Sequence, residues 1–263
     1  KTEPEILRGT GVRILVTNDD GIHASGLACM ETIASELSDD VVVVAPSTEQ
    51  SGKGHSISLH DPLRLRRIGE NRYSVDGTPA DCVMMGVRHV MAEGGVDLVL
   101  SGVNRGGNLA DDVTYSGTVA AAMEGTLLGI PSIAMSQEYR CDEPLHWDTA
   151  RSHAPDVVRR LLDAGWPKGV LMNVNFPPVQ PADVEGVVAC RQGQHNFADL
   201  KPVQRSDPFG RDYFWTSGWG MDAGHVAPGT DIQAMLDLKV SVTPIALDMT
   251  HDAALERLTR SFA

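Results

Sequence analysis

The stretch Arg13–Ala45, RILVTNDDGIHASGLACMETIASELSDDVVVVA, contains the pattern that decides the fold. Arg13–Thr17 (RILVT) is a short apolar run rich in strand formers and is expected to be a strand. Gly26–Leu37 then spaces Leu27, Met30, Ile33, Ala34 and Leu37 three or four residues apart, which makes one helix face apolar. Val41–Ala45 (VVVVA) shows no polar alternation, the pattern of a parallel strand covered on both faces. Strand, helix and strand in this order form a βαβ unit with a right-handed crossover.

The same alternation continues outward. Thr78-Pro79-Ala80-Asp81 has the composition of an N-cap followed by proline at the first helical position, and opens a helix to about Met91. Val96–Leu100 is a further buried strand, followed by a glycine-rich loop over Ser101–Asn108. Gly117–Leu128 is a small-residue helix and Pro131–Met135 another strand. The expected fold is therefore α/β, Rossmann-like and doubly wound, with a mostly parallel sheet and helices on both faces. In the second half, Thr149–Ala164 is expected to be helical, with Pro155 in its first turns or splitting it. Val170–Val174 and Lys239–Thr243 are strands, and Asp252–Thr259 closes the chain as a helix. Between them, about residues 187–220, β-like pieces carry Phe197, Phe209, Tyr213, Phe214, Trp215 and Trp219, the composition of a projecting hairpin or arm. Residues 1–12 are expected to be a flexible tail rather than a secretory signal, since they hold two glutamates and no apolar core, and 13–263 a single domain.

Composition narrows the function. The chain has 263 residues, 42% hydrophobic and 22% charged, the balance of a soluble globular protein. No apolar run approaches the roughly 20 residues a membrane helix needs, so no membrane partner is expected. Cys29, Cys82, Cys141 and Cys190 are scattered without a CxxC pair, which suits idle thiols in a reducing cytoplasm. A formal charge of −13 repels long nucleic acids, so the expected partner is small.

In open α/β sheets ligands bind beyond the carboxyl ends of the strands, and the polar residues there deserve the closest reading. Asn18-Asp19-Asp20-Gly21 follows the first strand, and two adjacent carboxylates repel each other unless a positive charge joins them. Pro46–Ser56 follows the second strand and reads either as a ligand loop carrying Ser51, Gly52, Lys53, His55 and Ser56 or as a mobile connection. It is not a Walker loop, because Ser47 and Gly54 stand where glycine and Ser/Thr are required. In Ser101–Asn108 the GxGxxG spacing is missing, while Asn104 offers a neutral oxygen and Arg105 a phosphate fork. Tyr115-Ser116-Gly117-Thr118 opens a helix whose free N–H groups form an anion site, with hydroxyls on Ser116 and Thr118. The oxygens of Asp19, Asp20, Ser51 and Asn104 suit a hard cation, Mg²⁺ or Mn²⁺, better than zinc. Neither HExxH nor GxSxG occurs in the sequence.

The strings ILVTNDDG (Ile14–Gly21), VVAPSTEQSGKGHS (Val43–Ser56), DGTPADC (Asp76–Cys82), LSGVNRGGN (Leu100–Asn108) and YSGTVAAAMEG (Tyr115–Gly125) closely resemble the survival protein E (SurE) family of nucleotidases, in order and spacing. Arg191-Gln192-Gly193 and VSVTP (Val240–Pro244) are similar as well. The resemblance implies hydrolysis of nucleoside 5′- and 3′-monophosphates, some short-chain polyphosphatase activity, and dimers or tetramers held by C-terminal arms. It implies one divalent cation per subunit on Asp19, Asp20, Ser51 and Asn104. Phosphate would lie near Asn108, Ser116, Gly117 and Thr118, with Gly52 and Ser56 close by. Gln50 stands where many members carry arginine, and Lys53 is a substitute source of charge in that loop. Asp19 or Asp20 would serve as general base, with an aspartyl-phosphate route as the less favoured alternative. A non-catalytic nucleotide sensor and a structural assembly protein are the rival classes.

Overall fold

The computed structural model describes residues 11–195, 201–217 and 226–263. Eleven strands and six α-helices follow one another as β1 (Arg13–Thr17), α1 (Ser25–Ser35), β2 (Asp40–Pro46), β3 (Leu65–Arg67), β4 (Arg72–Val75), α2 (Pro79–Met85), β5 (Leu98–Arg105), α3 (Gly117–Leu127), β6 (Ser132–Gln137), α4 (Trp147–Ala164), β7 (Val170–Phe176), β8 (Val187–Ala189), β9 (Lys201–Ser206), β10 (Asp212–Ser217), α5 (Asp231–Leu236), β11 (Val240–Ala246) and α6 (Asp252–Phe262). Nine strands form one sheet in the order β3-β4-β2-β1-β5-β6-β7-β11-β8. Strands β4-β2-β1-β5-β6-β7 are mutually parallel, whereas β3 on β4 and β11 on β7 are antiparallel. This is the expected doubly wound α/β fold.

The alternation of side chains along a strand divides the core into two layers. Ile14 and Val16 of β1 pack with Leu27, Met30 and Ile33 of α1 and Ala154, Val157 and Val158 of α4. Leu15, between them, packs on the other face with Val44, Cys82 and Val83, next to Ala121 of α3. Helix α1 lies unusually close to the sheet: a Cβ on Gly26 would stand 1.9 Å from the carbonyl oxygen of Val103. Thr78 caps α2 as expected, and the arrangement is a full capping box, with Thr78 Oγ1 accepting from the Asp81 N–H and Asp81 Oδ2 from the Thr78 N–H.

Several elements differ from the sequence expectation. The apolar strand after α2 runs on to Arg105, so Ser101–Arg105 belongs to β5 rather than to a loop, with a register shift between Ser101 and Asn104. The helix opened at Thr78 turns into a π-helix over Gly86–Val90. Pro155 lies in the middle of α4 without splitting it; proline removes one hydrogen bond, and burial of Ala154, Val157 and Val158 holds the helix across it. Val187–Ala189 pairs with β11 in the main sheet, and the projecting element is the antiparallel hairpin β9–β10, where Phe214 and Trp215 are exposed. Phe197 and Trp219 of the expected arm lie outside the described residues. So do residues 1–10 of the expected tail, while Val12 packs against the core.

Candidate active site

The chain leaves β1 toward β2 on one side and returns to β5 on the other, so a crevice opens between the carboxyl ends of β1 and β5, the place where such sheets bind ligands. A cleft of about 890 Å³ occupies this position. Asp19, Ser51, Gly52, Asn104, Arg105, Asn108 and Ser116 line it.

The acid pair is held by its own turn. Asn18 Nδ2 donates to the Gly21 carbonyl at 3.0 Å and its Oδ1 accepts from the Gly21 N–H at 3.2 Å, and Gly21 takes a φ of 101° that other residues rarely adopt. Asp19 is only 4% exposed and accepts a hydrogen bond from the Thr118 hydroxyl. Asp20 Oδ2 accepts from the Arg105 N–H at 3.2 Å, which ties β1 to the end of β5. The loop after β2 is fastened at several points, among them these: the Gln50 N–H donates to the Asp19 carbonyl (2.8 Å), the Gly54 N–H to the Tyr115 carbonyl (3.0 Å), and His55 Nε2 pairs with Glu124 (3.0 Å). A close-packed start to α3 completes the arrangement, since a Cβ on Gly117 would lie 2.8 Å from Asp19 Cβ. Ser116 caps that helix, its Oγ accepting from the Val119 N–H at 3.0 Å.

Electrostatically the acid pair lacks charge compensation. Burial holds the Asp19 carboxyl above the ordinary carboxylate range against the lowering effect of the Thr118 hydroxyl. Asp20 is pushed up to about 6, first by burial and then by Asp19 beside it. Glu49 adds negative charge to both, and Arg105 offsets only a little of it at Asp20. Among the described residues no three His, Cys, Asp or Glu side chains form a metal cage. The donor set is instead two carboxylates with the neutral oxygens of Ser51 and Asn104, which fits a hard divalent cation. Asn104 is fixed through Nδ2, which donates to the Gly106 carbonyl at 2.8 Å. The carboxylates held above their usual range are the feature that a cation would relieve.

Three expected phosphate contacts have protein partners of their own. The Thr118 hydroxyl is fully buried and bound to Asp19, so it supports the acid pair rather than adding a donor to the cleft. Ser56 lies by α2, its carbonyl accepting from Thr78 Oγ1 (2.7 Å), outside the residues that line the cleft. The loop has turned at Gly52 and Gly54, both with positive φ, and carries Ser56 away. Asn108 does line the cleft, but its side-chain Nδ2 donates to Ser136 Oγ (2.8 Å), and its backbone N–H donates to Asn175 Oδ1 (2.8 Å). The exposed Lys53 is not among the lining residues, where Arg105 and Arg140 supply the positive charge.

The cleft also contains residues that the sequence did not single out: Asp112, Glu138, Tyr139, Arg140 and His195. Arg105 stacks over the Tyr139 ring, 5.3 Å from its centroid. Burial raises the Glu138 carboxyl, and the Tyr139 N–H donates to it at 2.9 Å. For Glu138, Tyr139 and Arg140, position just past the carboxyl end of β6 is the available signal.

Fold and site together define an α/β protein with a cleft, lined by carboxylates and the start of a helix, at the switch point of a doubly wound sheet. The chain belongs to the SurE family: residues 14–199 match the model described as Survival protein SurE. It is 55% identical over 256 residues to a protein of Methylobacterium radiotolerans named 5′-nucleotidase SurE, covering 96% of this chain and 100% of that one. A protein of the same name from Methylobacterium nodulans is 54% identical over 95% of this chain and all of its own. The crystal structure of the SurE protein from Aquifex aeolicus superposes with a TM-score of 0.81 at 38% identity, over 95% of this chain and 100% of that one.

Proposed function

We propose that this chain is a divalent-metal-dependent nucleotidase that hydrolyses nucleoside 5′- and 3′-monophosphates to nucleoside and phosphate, and also cleaves short polyphosphate. The observation that carries the proposal is the buried Asp19, lining the cleft with the half-buried Asp20 beside it in sequence and packed against the N-terminus of α3. The relatives named 5′-nucleotidase support the substrate class. Asp19, Asp20, Ser51 and Asn104 are the residues that would hold Mg²⁺ or Mn²⁺, one ion per subunit. When bound, such an ion polarises a phosphoryl oxygen and acidifies water.

The chain's own groups do the remainder. The unpaired N–H groups and positive dipole end of α3, with the Ser116 hydroxyl, receive phosphate oxygens. Backbone at Gly52 and the Arg105 guanidinium, which line the same cleft, offer further donors. Of Asp19 and Asp20, the less buried Asp20 is the one to which we assign the proton of the attacking water. We further propose a cytoplasmic homodimer or homotetramer acting on small nucleotides, with neither nucleic acid nor a membrane as partner. Among the described residues no helix is long and apolar enough to cross a membrane.

Phosphate release from AMP and GMP tests the activity. Turnover with Mn²⁺ or Mg²⁺ that disappears on chelation is expected; binding of nucleotide without phosphate release would favour a sensor instead.

The raised carboxyls also make metal binding visible in stability. Without metal, the folded state holds a proton on Asp20 up to about pH 6, whereas the ordinary value is 3.8. Between those two values the folded state binds more protons than the unfolded one, so metal-free stability falls as pH rises through the window. A cation on the pair removes that penalty. The rise in Tm on adding Mn²⁺ is therefore expected to be larger at pH 7.5 than at pH 5, and a shift independent of pH would contradict the assignment of the ion to these carboxylates.

A further inference from the structure

The phosphate chemistry above leaves one side of the cleft unused. His195 lines the cleft together with Asp19, Ser51, Asn104 and Ser116, and its side chain is 10% exposed. It is held by one turn, Ala110–Thr114, a 3-10 helix that leads directly into Ser116 and α3. Asp111 Oδ2 accepts the His195 backbone N–H at 2.7 Å, and Asp112 Oδ2 lies 3.1 Å from His195 Nε2. The turn that positions the start of the anion-binding helix therefore also positions the imidazole, by its backbone and by its ring. Asp231 reinforces the same corner by accepting from the Ala110 and Gly193 N–H groups, at 2.9 and 2.8 Å.

Hydrolysis of a nucleoside monophosphate has two ends to stabilise. The carboxylate pair and the α3 N-terminus serve the phosphoryl end. The leaving group is a sugar alkoxide, too basic to depart readily without a proton. Arg105 and Arg140 cannot provide one, because guanidinium does not deprotonate in proteins. An imidazole oriented by a carboxylate is suited to the task near neutral pH.

Building on the nucleotidase reading, we propose that His195, oriented by Asp112, is the general acid that protonates the departing nucleoside oxygen. The water oxygen bonds to phosphorus as the bond from phosphorus to the sugar oxygen breaks. The electron pair of that bond stays on the sugar oxygen, which takes the proton from Nδ1 of the imidazolium, Nε2 being held by Asp112. The proton lost by the water is taken by Asp20 and released to solvent, and the imidazole regains one from solvent, so one water and one ester give one nucleoside and one phosphate.

The test compares AMP with p-nitrophenyl phosphate, whose leaving group spreads its charge into the nitro-substituted ring and needs no proton. His195→Asn in the full chain with Mn²⁺ is expected to lose about 100-fold in kcat/KM on AMP but less than about 3-fold on p-nitrophenyl phosphate. Asp112→Asn should show the same skew at smaller amplitude, and it gives the answer if His195→Asn does not fold. Equal losses on both esters, or no loss on either, would overturn the assignment of His195 while leaving the nucleotidase reading intact. Absence of AMP turnover in the unaltered protein would overturn that reading as well.

Discussion

Replacing Asp19 by asparagine is expected to abolish at least about 99% of AMP hydrolysis while leaving the metal-free protein as stable as before, or more so. The first half follows from the role proposed for the carboxylate. A loss of about 100-fold corresponds to roughly 2.7 kcal/mol of transition-state stabilisation, a reasonable cost for removing a charged ligand from a site built to stabilise phosphoryl oxygens. The second half follows from burial. Asp19 is 4% exposed and its charged form is disfavoured there. Asparagine keeps the shape and still accepts from the Thr118 hydroxyl, but carries no charge to bury. Activity and stability thus move in opposite directions, as is common where a site is maintained at the expense of the fold. Phosphate release with Mn²⁺, alongside denaturant melts without metal, measures both. Persistence of full activity in Asp19→Asn would remove Asp19 from the site; a large loss of stability would show that its charge is structural.

A second large effect is expected from a single added methyl group. Gly117 has no backbone need to be glycine, since its φ lies outside the left-handed region. Its requirement is space: an alanine Cβ would stand 2.8 Å from Asp19 Cβ and 3.0 Å from Oδ2. Neither neighbour can move easily, because Asp19 is held by Thr118 and Gly117 begins the helix capped by Ser116. Gly117→Ala should therefore displace the carboxylate and the helix start relative to each other. A displacement of about 1 Å can cost on the order of 100-fold in rate, while overpacking costs typically about 1–3 kcal/mol of stability. The expected result is a folded protein with AMP turnover reduced on the order of 10- to 100-fold. Wild-type turnover would mean that the two walls of the cleft are not mechanically joined at this point.

Much of this architecture is legible in the sequence alone. The apolar periods of Ile14–Val16, Leu27–Leu37 and Val41–Ala45 reflect which faces are covered, so strand, helix and strand follow from burial alone. The sequence expectation missed where a tertiary contact overrides a local preference. Glycine at 102 suggested a loop, yet pairing with β6 carries β5 on to Arg105. Pro155 suggested either a place in the first turns or a helix break, yet packing of its neighbours against β1 and α1 outweighs one lost hydrogen bond in mid-helix.

The candidate site divides in the same way. By itself the sequence determined which oxygen-bearing residues end the strands, because NDDG, the loop after β2 and SGVNRGGN each follow a recognisable apolar run. Only the tertiary structure decided which of them meet and what each hydroxyl is free to do. Thr118 looked like a phosphate donor from its place in the helix, and the fold turns its hydroxyl to Asp19 instead. His195 lies 83 positions beyond Asp112 and looked like one scattered histidine among nine, and the fold sets its ring 3.1 Å from that carboxylate. The physical reason is range: periodicity and capping act over a few residues, whereas burial, charge pairing and hydrogen-bond partners are set by whichever distant segment the sheet order brings alongside.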